Sequence, residues 1–552
     1  MTSHRRLLHS AMLLAILLPA ITQTLSAQAS KISGMVVNES GRPLPDARVT
    51  LRRLGTMEVA SASADTDREG KFEVSVLQPA NYRIVAHRQG DVPLFGDPDE
   101  AERIYHAGDS VTLVLTKGGV ITGTVTDQAG EPIVGVNVHA QVVHIANALP
   151  FPYNLINPSD STDDRGVYRI YGLPEATYVV WAGGSNQSFT SNVDPFADDV
   201  PTYAPASTRD TAQEIVVRAG AEINGVDIQY RGGSGHSVSG SARGPEAGQS
   251  FALFMVSTSG PQWQTRAFQR PGERGFSFDG VDDGDYSITA MSQQTSNGEF
   301  MFSAGKQVKV RGADVSGVEL IVLPLSSVAG RVVLEETKAS ECRDNQRPVF
   351  SDTLISAQSV ETDNVPEPMT YFSPTATPDE RGNFVLKNLW PSRYYFRTQY
   401  FAKDWYLKSL LITPSVDAAR TWTTLKSGDR LNELTITLTQ GAASLSGSVA
   451  LSKAGEKLYV YLVPAEKERA DDPLRFYAAA VREGKVALHN LAPGRYLVFA
   501  QAVDNELPLT KLRSPGETAY RTRLRHDAET LKTEIELKPC QQLTDVKIRT
   551  RS

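Results

Sequence analysis

The sequence predicts an all-β protein built as a tandem array of about five β-sandwich domains. Three observations predict it. First, the stretch TDREGKFEVSVLQPANYRI, Thr66 to Ile84, returns in outline from Thr162, Glu273, Pro378 and Arg482. In four of the five copies a Tyr stands twelve residues after the first Gly (Gly70 to Tyr82, Gly166 to Tyr178, Gly382 to Tyr394, Gly484 to Tyr496). In the third, Gly275 to Tyr286, it stands at eleven. The steps from Gly to Gly are 96, 109, 107 and 102 residues, the size of a domain. Second, an apolar residue, a small residue and a Gly open a strand ahead of each copy, at Gly34, Gly123, Gly240, Gly330 and Gly447. Third, apolar residues alternate with polar ones while helical periodicity is weak nearly everywhere.

The elements follow in chain order. Residues 1–29 carry Arg5 and Arg6, then an apolar run, then small residues around Ala27 and Ala29. That is the pattern of a secretory signal peptide. The apolar run is short for a membrane span of about 20 residues. No Cys lies near the cleavage site to carry a lipid, and no later segment is apolar enough to span a bilayer. The mature chain is therefore expected to be exported, periplasmic or extracellular. The modules are expected at 30–117, 118–233, 234–325, 326–441 and 442–552. In the first two, Gly41-Arg42-Pro43 and Gly130-Glu131-Pro132 mark the first turn, and Val49/Leu51 and Val136/Val138 alternate into the core. Asp67 to Gly70 then makes a polar turn, and Phe72, Val74 and Val76 point inward. Pro79, Pro174, Pro391 and Pro493 mark the next turn, where a missing N–H does no harm. The recurring Tyr packs its ring between the sheets and offers its hydroxyl to a loop carbonyl. Each module closes on a further strand, such as DSVTLVLT or NELTITLT. The best helix candidate is ETAYRTRLRHDAETL near the C-terminus.

A chain of 552 residues suits three to five domains of the usual ~100–200 residues. It is 40% hydrophobic and 22% charged, which is ordinary for a globular protein. The net charge of −7 and the lack of a Lys/Arg block exclude a nucleic-acid surface as the expected partner.

The segments ISGMVVNESGRPLPDARVTLRR with TDREGKFEVSVLQPANYRIVA, and ITGTVTDQAGEPIVGVNVHA with TDDRGVYRIYGLPEATYVVWA, resemble the carboxypeptidase regulatory-like domain. The resemblance implies an Ig-like or transthyretin-like sandwich, also grouped with carbohydrate-binding-like folds. Modules four and five keep the hairpin and lose the Gly-Pro turn; module three departs furthest. Arrays of this kind occur in exported bacterial proteins. The domain accompanies peptidases and implies no activity of its own.

The catalytic patterns are incomplete. His526-Asp527-Ala528-Glu529 has the spacing of a zinc carboxypeptidase ligand pair, but no His follows it. Asp65, Asp67 and Glu69 resemble the start of a calcium loop, but Val76 stands where the bidentate Glu is needed. No nucleophile elbow, zinc-protease helix motif or phosphate loop occurs. His139 and His144 lie near one strand but five apart, facing opposite sides. No catalytic residue, metal or cofactor is expected. Cys342 and Cys540 are the two cysteines, 198 residues apart; export permits a bond between them, and two free thiols are the alternative.

Binding is expected on loops rich in aromatic residues. These supply Phe151, Tyr153, Phe196 and Tyr203 in module two, and Trp405, Tyr406 and Trp422 in module four. Such rings suit sugar faces and protein interfaces, or pack the loops onto their own modules. Trp181 and Trp390 are expected in the core. The expected function is non-catalytic binding or scaffolding, with a glycan or envelope protein as ligand. The alternative is an accessory or regulatory subunit of a peptidase or envelope complex.

Overall fold

The computed structural model describes residues 30–54, 62–76, 80–94, 103–144, 158–184, 195–246, 248–258, 264–339, 342, 350–359, 374–400, 402, 404–450, 458–502, 512–531 and 533–550. The expected signal peptide lies outside them. The first sandwich runs β1 (Ser30–Asn38), β2 (Arg48–Arg53), β3 (Ala62–Asp65), β4 (Lys71–Val76), β5 (Tyr82–His87), β6 (Asp91–Pro93) and β7 (Ser110–Lys117). One sheet is ordered β4-β1-β7-β6 and the other β3-β2-β5. β1 is antiparallel to β4 and parallel to β7. In β4 the residues alternate strictly between exposed and buried, as its sequence alternation requires.

The same plan returns four times. The opening strands Gly119–Thr126, His236–Arg243, Ser326–Glu335 and Ala443–Val449 each pair antiparallel with the strand after the polar turn. Each also pairs parallel with the closing strand. The strand that carries the recurring Tyr belongs to the opposite sheet in the first, second, fourth and fifth sandwiches. In the third sandwich the two sheets merge, because Met301–Ser303 pairs with both Gly284–Ser292 and the closing strand Val315–Pro324. The expected helix forms as α1 (Thr518–Leu531), packed on the outer face of the fifth sandwich. Each sandwich has its own apolar core.

The recurring glycine of the opening strand has a steric cause. Gly34, Gly330 and Gly447 each lie between two neighbours in their sheet, and a Cβ there would overlap the carbonyl oxygen of Val111, Leu434 and Val546. Gly123 and Gly240 meet Val226 and Val318 in the same way. Across the antiparallel pair the facing residue is Phe72, Tyr168, Phe276 or Phe384, and Val486 in the fifth sandwich. A large ring covers the bare backbone of a glycine in four of five copies.

The turn before β4 is closed by its aspartate. Asp67 Oδ1 accepts the amides of Glu69 (3.0 Å) and Lys71 (2.8 Å). Asp163 and Asp379 repeat this bonding. The Arg165 guanidinium, then the Val167 amide, hold the Asp163 carboxyl below its ordinary range. The Asn383 amide does the same for Asp379. Gly70, Gly166 and Gly382 supply the positive φ that ends the turn (71°, 73° and 84°).

The recurring tyrosine has the structural role its position suggests. Tyr178, Tyr286, Tyr394 and Tyr496 are buried, and each hydroxyl donates to the carbonyl four residues earlier, at 2.7–2.8 Å. The bond ties the second turn to the core. Burial raises the pKa of all four hydroxyls. Tyr394→Phe keeps the packing and orphans the Trp390 carbonyl. It is expected to destabilise the fourth sandwich by about 1 kcal/mol. Urea unfolding of the variant checks this, and an unchanged midpoint would assign the whole role to the ring.

Candidate functional site

The aromatic residues expected to bind do not converge on one surface. Phe151 and Tyr153 lie outside the described residues. Phe196 is half-buried, its ring edge-on to Tyr230 at 5.8 Å. Tyr203 is 2% exposed and lies against Trp181. Trp405 is 1% exposed and fills the core of the fourth sandwich. Neither Tyr203 nor Trp405 offers a ring face to a ligand, which corrects the expectation for those two. The physical reason is strand register. Trp405 opens the strand Trp405–Thr413, where alternate residues point inward, and its neighbour Tyr406 points out and is half-buried. Trp422 is half-buried, edge-on to Tyr395 at 5.7 Å and under the Arg393 guanidinium at 5.9 Å. Gly516 of the fifth sandwich packs against its ring.

Trp181 and Trp390 are buried but sit outside the main cores. Trp181 stacks on His139 beyond the sheet, at 5.1 Å. Trp390 joins Phe302 and Leu325 in a small cluster between the third and fourth sandwiches.

The metal candidates resolve into ordinary contacts. Asp65 pairs with Arg48, and Asp67 caps its turn. His526 and Glu529 are exposed on α1, and Glu529 pairs with Arg525 at 3.1 Å. Among the described residues no three His, Cys, Asp or Glu side chains gather as a metal site. Among them, too, no helix is long and apolar enough to cross a membrane.

A recurring site does emerge at the joints, and the expectations above did not include it. The strand after the polar turn bulges at its end in sandwiches two to five. The bulge holds Gly172, Gly280, Asn388 or Asn490, all left-handed (φ 71°, 66°, 61° and 58°). Each of these residues touches the sandwich before it. A Cβ on Gly118, the residue between the last strand of the first sandwich and the opening strand of the second, would stand 2.6 Å from the Gly172 Cα. A Cβ on Gly280 would stand 2.6 Å from the Asp198 carbonyl oxygen. Asn388 Oδ1 accepts the Phe300 amide (2.8 Å) and its Nδ2 donates to the Gly298 carbonyl (3.0 Å). Asn490 Nδ2 donates to the Ala402 carbonyl (2.9 Å). Gly and Asn are the residues that tolerate this backbone. The signal was present in sequence: the residue stands six positions after the turn glycine in three copies and five in the other.

Further bonds lock the later joints. Ser427 Oγ donates to the Pro324 carbonyl and Arg430 Nη1 to that of Leu325. Cys342 and Cys540 form a disulfide with Cα atoms 5.6 Å apart, linking the fourth and fifth sandwiches. The first sandwich also reaches the fourth: Asn81 is fully buried and donates to the Ser351 carbonyl at 3.2 Å.

Comparison with known proteins adds the following. Residues 31–93 match the family model of the carboxypeptidase regulatory-like domain. No curated protein matches the chain. Among solved structures the chain is similar to the Bacillus anthracis TIE protein, at 10% identity and a TM-score of 0.14, over 71% of this chain and 69% of that one. It is similar to the shaft pilin SpaA of Lactobacillus rhamnosus GG, at 10% identity and a TM-score of 0.17, over 36% of this chain and 98% of that one. It is also similar to a streptococcal ancillary pilin, at 9% identity and a TM-score of 0.16, over 58% and 99%.

Proposed function

We propose that this chain, whose first sandwich carries a carboxypeptidase regulatory-like domain, is a non-catalytic scaffold exported to the bacterial envelope or beyond it. It holds binding loops for a glycan or protein ligand at set positions. In this reading the modules span 30–117, 118–233, 234–325, 326–441 and 442–552. The observation that carries the reading is the repeated joint. A left-handed bulge residue docks on the preceding sandwich at every junction, so spacing is built into the fold instead of being left to linkers. Flexible linkers would permit the relative motion that is usual between domains. The signal-peptide pattern of residues 1–29 supports export. Phe151, Tyr153, Phe196, Tyr406 and Trp422 remain the binding candidates, and Phe196, Tyr406 and Trp422 are half-buried.

Small-angle scattering of residues 30–552 tests the scaffold. One set of dimensions is expected, and a broader distribution in an Asn388→Ala/Asn490→Ala variant. Equal flexibility in both proteins would remove the set spacing. Binding is tested separately, by retention on immobilised polysaccharides and peptidoglycan. A variant with Phe151, Tyr153, Tyr406 and Trp422 changed to Ala should lose that retention. No retention would leave a protein of the envelope as the ligand.

A further inference from the structure

The first and second sandwiches enclose a cleft of about 220 Å³. The first contributes His87, Gln89 and Asp91, and the second Val142, Tyr171 and Tyr178. The joint that forms the cleft is the one made by Gly172 and Gly118. Gln89 Nε2 also crosses it, donating to the Tyr171 hydroxyl at 3.1 Å.

The two sides differ in chemistry. Val142 and the buried Tyr178 ring form an apolar wall, because the Tyr178 hydroxyl is engaged by the Pro174 carbonyl. Tyr171 stands at the rim with 45% of its surface exposed, on the outward side of its strand. The opposite rim is polar, with exposed His87 and Gln89. Asp91 lines it too and is only 5% exposed. Its two oxygens each take one cation, Arg88 at 3.0 Å and Lys117 at 3.1 Å. A carboxylate oxygen so engaged still has accepting capacity.

We propose that this cleft binds one neutral sugar ring, such as the end residue of a glycan. Size points to one ring, since pockets for larger drug-like ligands run about 300–1,000 Å³. Asp91 is the acidic residue that lines the cleft, and Arg88 and Lys117 already pair with it, so the cleft offers an ion no unpaired partner. A wholly apolar ligand would cover the polar rim of His87 and Gln89 without giving it a partner, which is costly. A pyranose has what the two sides ask for: a C–H face for Tyr171 and the apolar wall, and hydroxyls that both donate and accept for His87, Gln89 and Asp91. The cleft is separate from the aromatic loops named above, and it does not depend on them.

Saturation-transfer NMR on the chain from residue 30 to 552 tests the assignment with glucose, galactose, mannose and N-acetylglucosamine. At least one is expected to bind saturably, with a dissociation constant in the millimolar range that suits a single ring in an open cleft. Tyr171→Ala is expected to weaken it about tenfold or more. Because that change also removes a bond across the joint, His87→Ala provides the second variant. His87 is exposed, and its loss should weaken the sugar without altering scattering dimensions. No saturable transfer from any of the four sugars would overturn the proposal. So would unchanged affinity in both variants, or equal binding of glucuronate. Scattering reads the scaffold independently, so failure here leaves that reading intact.

Discussion

Gly330→Val is expected to unfold the fourth sandwich while the rest of the array stays folded. Gly330 lies mid-strand, paired with Phe384 on one side and Leu434 on the other. Its backbone is not left-handed, so conformational freedom is not why glycine stands there. The constraint is space. A Cβ would overlap the Leu434 carbonyl oxygen and come within 2.6 Å of the Phe384 ring. The carbonyl belongs to a sheet ladder and cannot turn aside, so the strands must part. Overpacking of a core typically costs about 1–3 kcal/mol, and backbone obstruction places this change at or above the upper end. A domain stable by about 5–15 kcal/mol has little reserve for both a lost ladder and a lost ring contact. Gly428→Ala is the control. That glycine is left-handed (φ 79°) with no atom within 4 Å of its Cβ position, so only strain of about 1–2 kcal/mol is expected. Urea unfolding of both variants decides it. Equal losses would refute the steric account.

Reduction of the Cys342–Cys540 disulfide, or Cys342→Ser, is expected to separate the unfolding of the fourth and fifth sandwiches. The bond closes 198 residues, a stretch containing most of both cores. Loop-closure entropy for that length amounts to about 5 kcal/mol. The bond also stands beside other ties between the two: Cys540 N donates to the Gly441 carbonyl, and Leu474 of the fifth sandwich enters the core of the fourth. Calorimetry of the oxidised chain should show the pair melting together. The reduced chain should show two transitions, the lower one shifted down by several degrees. Intact mass without reductant should find no alkylatable thiol. Superimposable melting curves for the two states would show that the staple contributes nothing to stability.

The strands were legible because they depend on local chemistry. Alternation in β4 and the aspartate–glycine turn report contacts between residues a few positions apart, which one sequence displays directly. The tyrosine was legible for the same reason: its hydroxyl partner lies four residues away. The cysteines named the possible pair, and the fold brought them within bonding distance. The aromatic sites were read less well. Composition placed Trp405 and Tyr203 among binding candidates, but strand register turned both inward, and a one-residue difference in register separates a core ring from a surface one.

By itself the sequence determined the class of fold, the turns and the tyrosine ties, which are written in spacings shorter than one module, and the repeat, which is written in the recurrence of those spacings. Only the tertiary structure decided why glycine opens each module, how the modules dock, and that Asn81 reaches Ser351. Those contacts join residues tens to hundreds of positions apart. The spacing of Gly and Asn after the turn marks where a bulge falls, but the partner across the joint is set by packing and not by proximity in the chain.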